Sequence, residues 1–205
     1  MNRYRHVVFD VDGTLMDTEK AIREGCVIFL REHGLPVDEK KITGVFGKTP
    51  REAFTELGAG HLFEEMNHFV NVYMYSEGRS QLYPTVMELL TELQTRGIPM
   101  AVCTSRGQHE FLMDTEFPKI SRFFKTIMTN DYADKAKPAP DPLLKYMKEN
   151  GCGPTELLYI GDSPADERCA RAAGVDFALA LWGSNSPDLP STYRPEKPLD
   201  ILSLL

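Results

Sequence analysis

The sequence predicts an α/β fold: a parallel sheet with helices on both faces, interrupted by a helical insertion. Two observations predict it. Short apolar runs at His6–Phe9, Met100–Cys103, Thr126–Thr129, Leu157–Ile160 and Phe177–Leu181 alternate, after residue 82, with helical patterns of about ten residues. Between Leu15 and Leu82 no run has strand character, and apolar residues recur at helical spacing instead.

Each element follows from local signals. The run His6–Phe9 ends at Asp10 and at the Asp12-Gly13 turn, as a buried strand feeding a loop does. From Asp17 to His33, Ala21, Cys26, Phe29 and Leu30 supply an apolar helix face, which Gly34 and Pro36 terminate. Further helices are expected from Pro50 to Leu57 and from His61 to Tyr75. In the latter, Met66, Phe69, Tyr73 and Met74 lie at near-helical spacing, as packing residues do. Beyond Tyr83-Pro84, helices are expected at Thr85–Arg96 (stopped by Gly97), Gln108–Thr115, Asp141–Asn150 and Ala165–Ala173. The stretch from Ser184 to Pro198 is rich in Pro, Ser and Asn and reads as a surface loop.

Composition narrows the class. The 205 residues fit one core domain carrying a small insertion, and 42% hydrophobic with 26% charged residues is the balance of a soluble globular chain. A net charge of −7 repels polyanions, so nucleic acid is not an expected partner, while a local pocket can still take a small phosphorylated molecule. Cys26, Cys103, Cys152 and Cys169 form no C-x-x-C pair and read as reduced, packed thiols. No apolar run is long enough to span a bilayer, and the residues before His6 are too few for a signal peptide, so the expected compartment is the cytoplasm. The five histidines show no ligand spacing.

Polar residues gather at the C-terminal ends of the predicted strands: Asp10-Val11-Asp12-Gly13-Thr14, Thr104-Ser105-Arg106 and Gly161-Asp162-Ser163-Pro164-Ala165-Asp166, joined by Lys137-Pro138 from a loop. In an open α/β sheet, ligands bind at those ends. Asp10 and Asp162 can hold a hard cation, and Mg2+ is the usual one beside a phosphate. A carboxylate can attack phosphorus, and Asp12 can protonate a leaving oxygen and later activate water. Thr104, Ser105, Lys137 and the backbone N–H groups after Asp12, at Gly13 and Thr14, can hold non-bridging oxygens.

Taken singly, each piece has a plainer explanation. Asp-Gly is a turn signal, Thr104-Ser105 can cap the next helix, Asp162 and Asp166 can be caps, and Lys137 competes with Lys135. An EF-hand loop fails, because its glycine would fall at Leu15 and its last glutamate at Ala21.

Together and in this order, Asp10-Val11-Asp12-Gly13-Thr14, Thr104, Lys137-Pro138 and Gly161-Asp162-Ser163-x-x-Asp166 resemble the four motifs of the haloacid dehalogenase superfamily. The resemblance implies a Rossmann-like catalytic core over residues 1–15 and 83–205, with a helical cap over 16–82. It implies Asp10 as nucleophile and Mg2+ ligand, and Asp12 as general acid/base with its carbonyl on the metal. Asp162 would complete the protein ligands, Asp166 would support metal and lysine, and Thr104 and Lys137 would bind the phosphoryl group. Members that cleave carbon–halogen bonds lack the second aspartate, so Asp12 points to phosphate esters. Mutase-like relatives typically carry a histidine where Ile22 stands. The segment Gly47-Lys48-Thr49-Pro50-Arg51-Glu52 and Leu181-Trp182-Gly183 are similar to cap-loop and last-strand motifs of phosphoglycolate phosphatase-like and pyrophosphatase-like proteins. There Lys48 and Arg51 reach the substrate's anionic end or simply solvate a helix start. The expected activity is Mg2+-dependent hydrolysis of a small phosphorylated metabolite, with a phosphosugar mutase, an inorganic pyrophosphatase or a non-catalytic phosphate-binding module as alternatives.

Overall fold

The computed structural model describes residues 3–46, 50–76 and 78–205. Along the chain the elements are β1 (His6–Phe9), β2 (Met16–Asp17), α1 (Glu19–Glu32), α2 (Glu39–Gly44), α3 (Pro50–Glu56), α4 (Phe63–Tyr75) and β3 (Gln81–Leu82). They continue as α5 (Val86–Thr95), β4 (Met100–Cys103), α6 (Gln108–Met113), α7 (Pro118–Ser121), β5 (Phe124–Met128), α8 (Asp141–Asn150), β6 (Leu157–Gly161), α9 (Pro164–Ala173) and β7 (Asp176–Leu179).

Five strands form one parallel sheet in the order β5-β4-β1-β6-β7. Their side chains divide between two buried clusters with the period of two that a pleated strand imposes. Val7, Phe9, Met100, Val102, Leu158 and Ile160 face one cluster, closed by Leu89, Leu90 and Leu93 of α5. Val8, Ala101, Cys103, Leu157, Tyr159 and Phe177 face the other, closed by Leu143 and Tyr146 of α8 and by Cys169 and Ala170 of α9. Burial on both faces explains why these strands are continuous apolar runs. The central strand β1 has β4 on one side and β6 on the other, so the chain reverses direction across the sheet at β1, and a crevice opens at the ends of these three strands.

Helices α1 to α4 bury a cluster of their own, with Phe29, Leu30, Ile42, Phe54, Met66 and Val70 at its centre. Two connections to the rest of the chain pair with each other: β2 and β3 form an antiparallel ribbon, Met16 opposite Leu82 and Asp17 opposite Gln81. The expectation that no strand lies between Leu15 and Leu82 is corrected here. Two-residue strands are too short to show alternation, and their pairing bridges more than sixty intervening positions. Helix α2 was likewise not expected. It has one buried residue, Ile42, and depends on Asp38, whose carboxylate accepts the N–H groups of Lys40 (3.0 Å) and Lys41 (3.2 Å). The short α7, begun by Pro118, was also not expected.

The stretch from Ser184 to Pro198 is more than a surface loop. Leu179 N–H donates to the Tyr193 carbonyl (3.0 Å) and Leu181 N–H to that of Pro195 (3.1 Å), so this segment satisfies the outer edge of β7. No helix among the described residues is long and apolar enough to cross a membrane.

Leu89 is fully buried between α5 and the sheet, whereas Leu144 is 47% exposed on α8. In urea denaturation, Leu89→Ala is expected to cost about 2–5 kcal/mol and Leu144→Ala within about 0.5 kcal/mol of zero.

Candidate active site

Asp10 leaves the end of β1 with its N–H still bonded to the Ile160 carbonyl at 2.8 Å, which continues the β1–β6 ladder one residue beyond the strand. That bond places Asp10 beside Asp162, which follows directly on β6. The intervening loop turns back on itself: Gly13 N–H donates to the Met16 carbonyl (2.9 Å), and Thr14, Leu15 and Met16 N–H groups all donate to that of Val11 (3.2, 2.9 and 2.9 Å). Gly13 takes φ +80°, and a Cβ there would lie 2.3 Å from Asp162 Oδ2, so a glycine is what lets the loop close on that carboxylate. A second close approach comes from the far end of the chain. Trp182 Nε1 donates to the Thr14 carbonyl (2.8 Å), and a Cβ on Gly183 would lie 1.9 Å from the Gly13 carbonyl oxygen.

Lys137 is the lysine brought into the site. Its ammonium donates to Asp10 Oδ1 (2.8 Å) and Asp166 Oδ1 (2.6 Å), and all three groups are buried. Asp166 is the most constrained of them. Tyr159 Oη donates to the same Oδ1 (2.6 Å), and Ser163 binds Oδ2 through both its hydroxyl (2.6 Å) and its N–H (3.1 Å). The Ser163 and Asp166 contacts also form the capping box of α9, so one carboxylate both starts a helix and holds the lysine.

The electrostatics follow from one ammonium facing three carboxylates. Burial, and next the charge of Asp166, push the Asp10 carboxyl up to about 7 against the pull of Lys137. Burial, with Asp166 and Asp10, drives Asp162 well above the usual carboxylate range. For Asp166 burial also acts upward, but the charge and hydrogen bond of Lys137 and the bonds from Ser163 and Tyr159 outweigh it and hold the group low. For Lys137, burial acts downward and is outweighed by Asp10 and Asp166, which keep it protonated.

One oxygen each from Asp10, Asp162 and Asp166 lies within 4.8 Å of the others. Oxygen-only donors carrying uncompensated negative charge suit a hard divalent cation, and Mg2+ fits them. Asp10 and Asp162 are the better-placed donors, because both oxygens of Asp166 already accept hydrogen bonds.

Other residues fall differently. Gly13 and Ser105 line a cleft of about 200 Å³ together with Asp10, Asp12, Lys137 and Asp162, while Ile22 and Phe46 of the helical cluster form part of its wall. The expected N–H donors at Gly13 and Thr14 are corrected: both groups are spent inside the loop. Thr14 is fully buried beneath the cleft, its hydroxyl 3.5 Å from Asp162 Oδ1. Thr104 is buried too, its Oγ1 accepting the Arg106 N–H (3.1 Å) rather than capping α6. Arg51 is exposed, stacked 4.0 Å over Phe63 and 3.6 Å from Glu64, at the rim of an adjoining cavity that Asp12 and Ser105 share. Lys48, with Gly47 and Thr49, lies outside the described residues.

Asp12 stands apart from the carboxylate cluster. Its two oxygens accept from Arg106 Nε (2.8 Å) and Nη2 (2.6 Å). Sequence reasoning assigned Arg106 no role. Its position directly after Thr104-Ser105, at a strand end, was the one available signal.

Fold and site together define an α/β enzyme built on a buried aspartate–lysine centre at the ends of the central strands of a parallel sheet. Residues 7–180 match the family of haloacid dehalogenase-like hydrolases, and the chain belongs to that family. It is 27% identical over 203 residues to the pyrophosphatase PpaX of Oceanobacillus iheyensis, covering 94% of this chain and 90% of the relative. It is 29% identical over 192 residues to phosphoglycolate phosphatase 1 of Pseudomonas aeruginosa, covering 88% and 71%. A solved haloacid dehalogenase-like hydrolase from Streptococcus pneumoniae superposes with a TM-score of 0.84 at 26% identity, covering 99% of both chains.

Gly183→Ala is expected to force the 182–184 segment away from the Asp12–Thr14 loop, lowering stability by about 1–3 kcal/mol in urea melts and reducing turnover in parallel.

Proposed function

We propose that this haloacid dehalogenase-like phosphatase hydrolyses small phosphorylated metabolites, phosphoglycolate-like acids or sugar phosphates, through an aspartyl-phosphate on Asp10. The observation that carries the reading is the Asp10 carboxylate held 2.8 Å from a buried lysine, beside an oxygen cluster suited to a divalent cation.

Asp10 attacks phosphorus. An acyl-phosphate bond forms, the ester P–O bond breaks, and Asp12 supplies the proton to the leaving oxygen. Asp12, now a carboxylate, takes a proton from water, which attacks the same phosphorus. Inorganic phosphate leaves, and Asp10 is regenerated. Bound Mg2+, held by Asp10, Asp162 and the Asp12 carbonyl with Asp166 in support, would neutralise charge on the phosphoryl oxygens. Lys137 supplies the second positive charge and holds the Asp10 side chain in one orientation. Ser105 opens onto the cleft and can donate to a non-bridging oxygen, with Thr104 fixing the turn beneath it.

In this reading residues 16–82 act as a cap over a core of 1–15 and 83–205, the β2–β3 ribbon being the double connection between them. Closure of α1 and its neighbours over the cleft excludes water and brings Arg51 toward the substrate's far end. Free thiols at all four cysteines accord with a cytoplasmic location, and the acidic charge with the absence of a nucleic-acid partner. The relatives named as pyrophosphatases make pyrophosphate a second substrate to test. The apolar Ile22 in the cleft wall offers no acid or base to a phosphosugar mutase.

The test is phosphate release from a panel of glycolate-type, sugar and inorganic phosphates, with Mg2+ and with excess chelator. Release that requires Mg2+ and falls at least about 10³-fold in Asp10→Asn is the expected result. Metal-independent release would remove the cation from the mechanism, and an active Asp10→Asn would exclude Asp10 as nucleophile. Asp162→Asn is expected to raise the Mg2+ concentration for half-maximal activity by about ten-fold or more while leaving a folded protein. An unchanged requirement would remove Asp162 from the ligand set.

A further inference from the structure

Helices α1 to α4 leave a chamber of about 190 Å³ inside their cluster, walled by Ile22, Cys26, Ile42, Phe54, Val70 and Met74. Protein interiors ordinarily pack without voids of this size, and such a void weakens the cluster that encloses it. Two amides open onto the same space. Asn67 and Asn71, one turn apart on α4, line it half-buried, and neither side chain has a hydrogen-bond partner among the described residues. Polar groups left unpaired in such a place are costly. Water would find few partners beyond them, because the rest of the wall is apolar. Cys26 adds no charge there, since burial pushes its thiol up to about 12.

The chamber adjoins the active site. Ile22 lines both the chamber and the cleft that holds Asp10 and Lys137. Asn67, Asn71 and Met74 line both the chamber and the neighbouring cavity that reaches Asp12 and Ser105. An ester with its phosphorus at Asp10 therefore has room for its organic part beyond Ile22. Charge along that route is unfavourable to an acid: Glu19 lines the cleft, and Asp12 and Glu110 line the neighbouring cavity. Of the arginines there, Arg106 is engaged by Asp12 and Asp114, and Arg51 is exposed, lying over Phe63 and beside Glu64. No charged side chain among the described residues lines the chamber itself. An apolar cavity of about 150 Å³ holds benzene, so this one takes a group about the size of an aromatic ring.

We propose that this chamber holds the organic part of the substrate, and that the enzyme selects phosphate monoesters of uncharged alcohols. The alcohol has an apolar body of ring size and a hydrogen-bonding group that meets Asn67 or Asn71. The proposal rests on the phosphatase reading for the reaction and narrows its substrates. Phosphoglycolate and pyrophosphate carry small, charged leaving groups, which gain nothing from an apolar wall and meet carboxylates on the way to it.

The test compares kcat/KM for benzyl phosphate, ethyl phosphate and phosphoglycolate in the wild-type protein with Mg2+. Benzyl and ethyl alcohols are leaving groups of similar basicity, so their ratio reports the organic part rather than the chemistry. Benzyl phosphate is expected to exceed each of the other two by about ten-fold or more. Ala53 lines the chamber, and Ala53→Leu fills part of it without adding charge. This variant is expected to lower the benzyl-to-ethyl ratio about five-fold or more, as is Asn71→Asp, which changes charge but hardly shape. A ratio near one in the wild type, a preference for phosphoglycolate (the outcome if Arg51 meets a carboxylate), or a ratio unmoved in both variants would overturn the proposal. A second readout needs no turnover: benzyl alcohol titrated into the wild type, followed by the methyl resonances of Ile22, Val70 and Met74. They are expected to shift saturably, and resonances that stay put would overturn the chamber as a binding site even in an enzyme active on every ester. A wild type inactive on all three esters would instead sink the phosphatase reading and leave the titration to decide whether the chamber takes an uncharged organic group.

Discussion

The structure depends on a charge that should not be stable where it is. Lys137 is buried, and it is kept protonated by Asp10 and Asp166, which are buried with it. Removing such groups from water is costly, and their attraction recovers the cost only when geometry is close and remaining polar atoms are satisfied. Here Asp166 meets that condition with three hydrogen bonds besides that of the lysine, one from Tyr159 and two from Ser163. Asp10 does not: beyond Lys137, it shares its surroundings with Asp162, and both carboxylates are driven upward by burial. The arrangement is therefore a poor stabiliser, with three carboxylates and one ammonium crowded around one small volume, the volume that on the proposed reading takes a divalent cation and a phosphoryl group.

That volume is kept open by backbone. The loop after Asp10 satisfies its own N–H groups on the Val11 and Met16 carbonyls, which makes it rigid without offering those donors to a ligand. Gly13 lets it press on Asp162, and the Trp182-Gly183 segment locks it from outside. The buried Asp10 contrasts with Asp12, two residues on, which is part-exposed and shared between the cleft and Arg106. The two aspartates thus have different surroundings: one is buried against a lysine, and the other lies part-exposed in the cleft against a guanidinium.

The helical cluster contributes differently. It packs its own core around Phe29, Leu30 and Met66, joins the sheet through the β2–β3 ribbon, and sends Ile22 and Phe46 into the cleft wall and Tyr75 onto Arg106. On the proposed reading this cluster acts as a cap, while the parallel sheet is held by separate clusters on its two faces.

The sequence by itself determined the parallel sheet, because strands buried on both faces must be apolar runs, and it determined Asp10, Asp12 and Asp162 as candidates, because strand ends are where such folds expose polar groups. The family resemblance, carried at this point by Lys137-Pro138, added the loop lysine to them. What it could not carry were interactions between distant residues with no local pattern: the two-residue ribbon of Met16–Asp17 and Gln81–Leu82, the cover that Tyr193 and Pro195 give β7, and the expenditure of the Gly13 and Thr14 N–H groups inside their loop. The pairing of Asp12 with Arg106, ninety-four positions apart, is of the same kind. Local periodicity records which face of an element is buried. Only the tertiary structure decides which polar atom meets which, because a hydrogen bond or ion pair is fixed by distances of about 3 Å between groups that the chain brings together late.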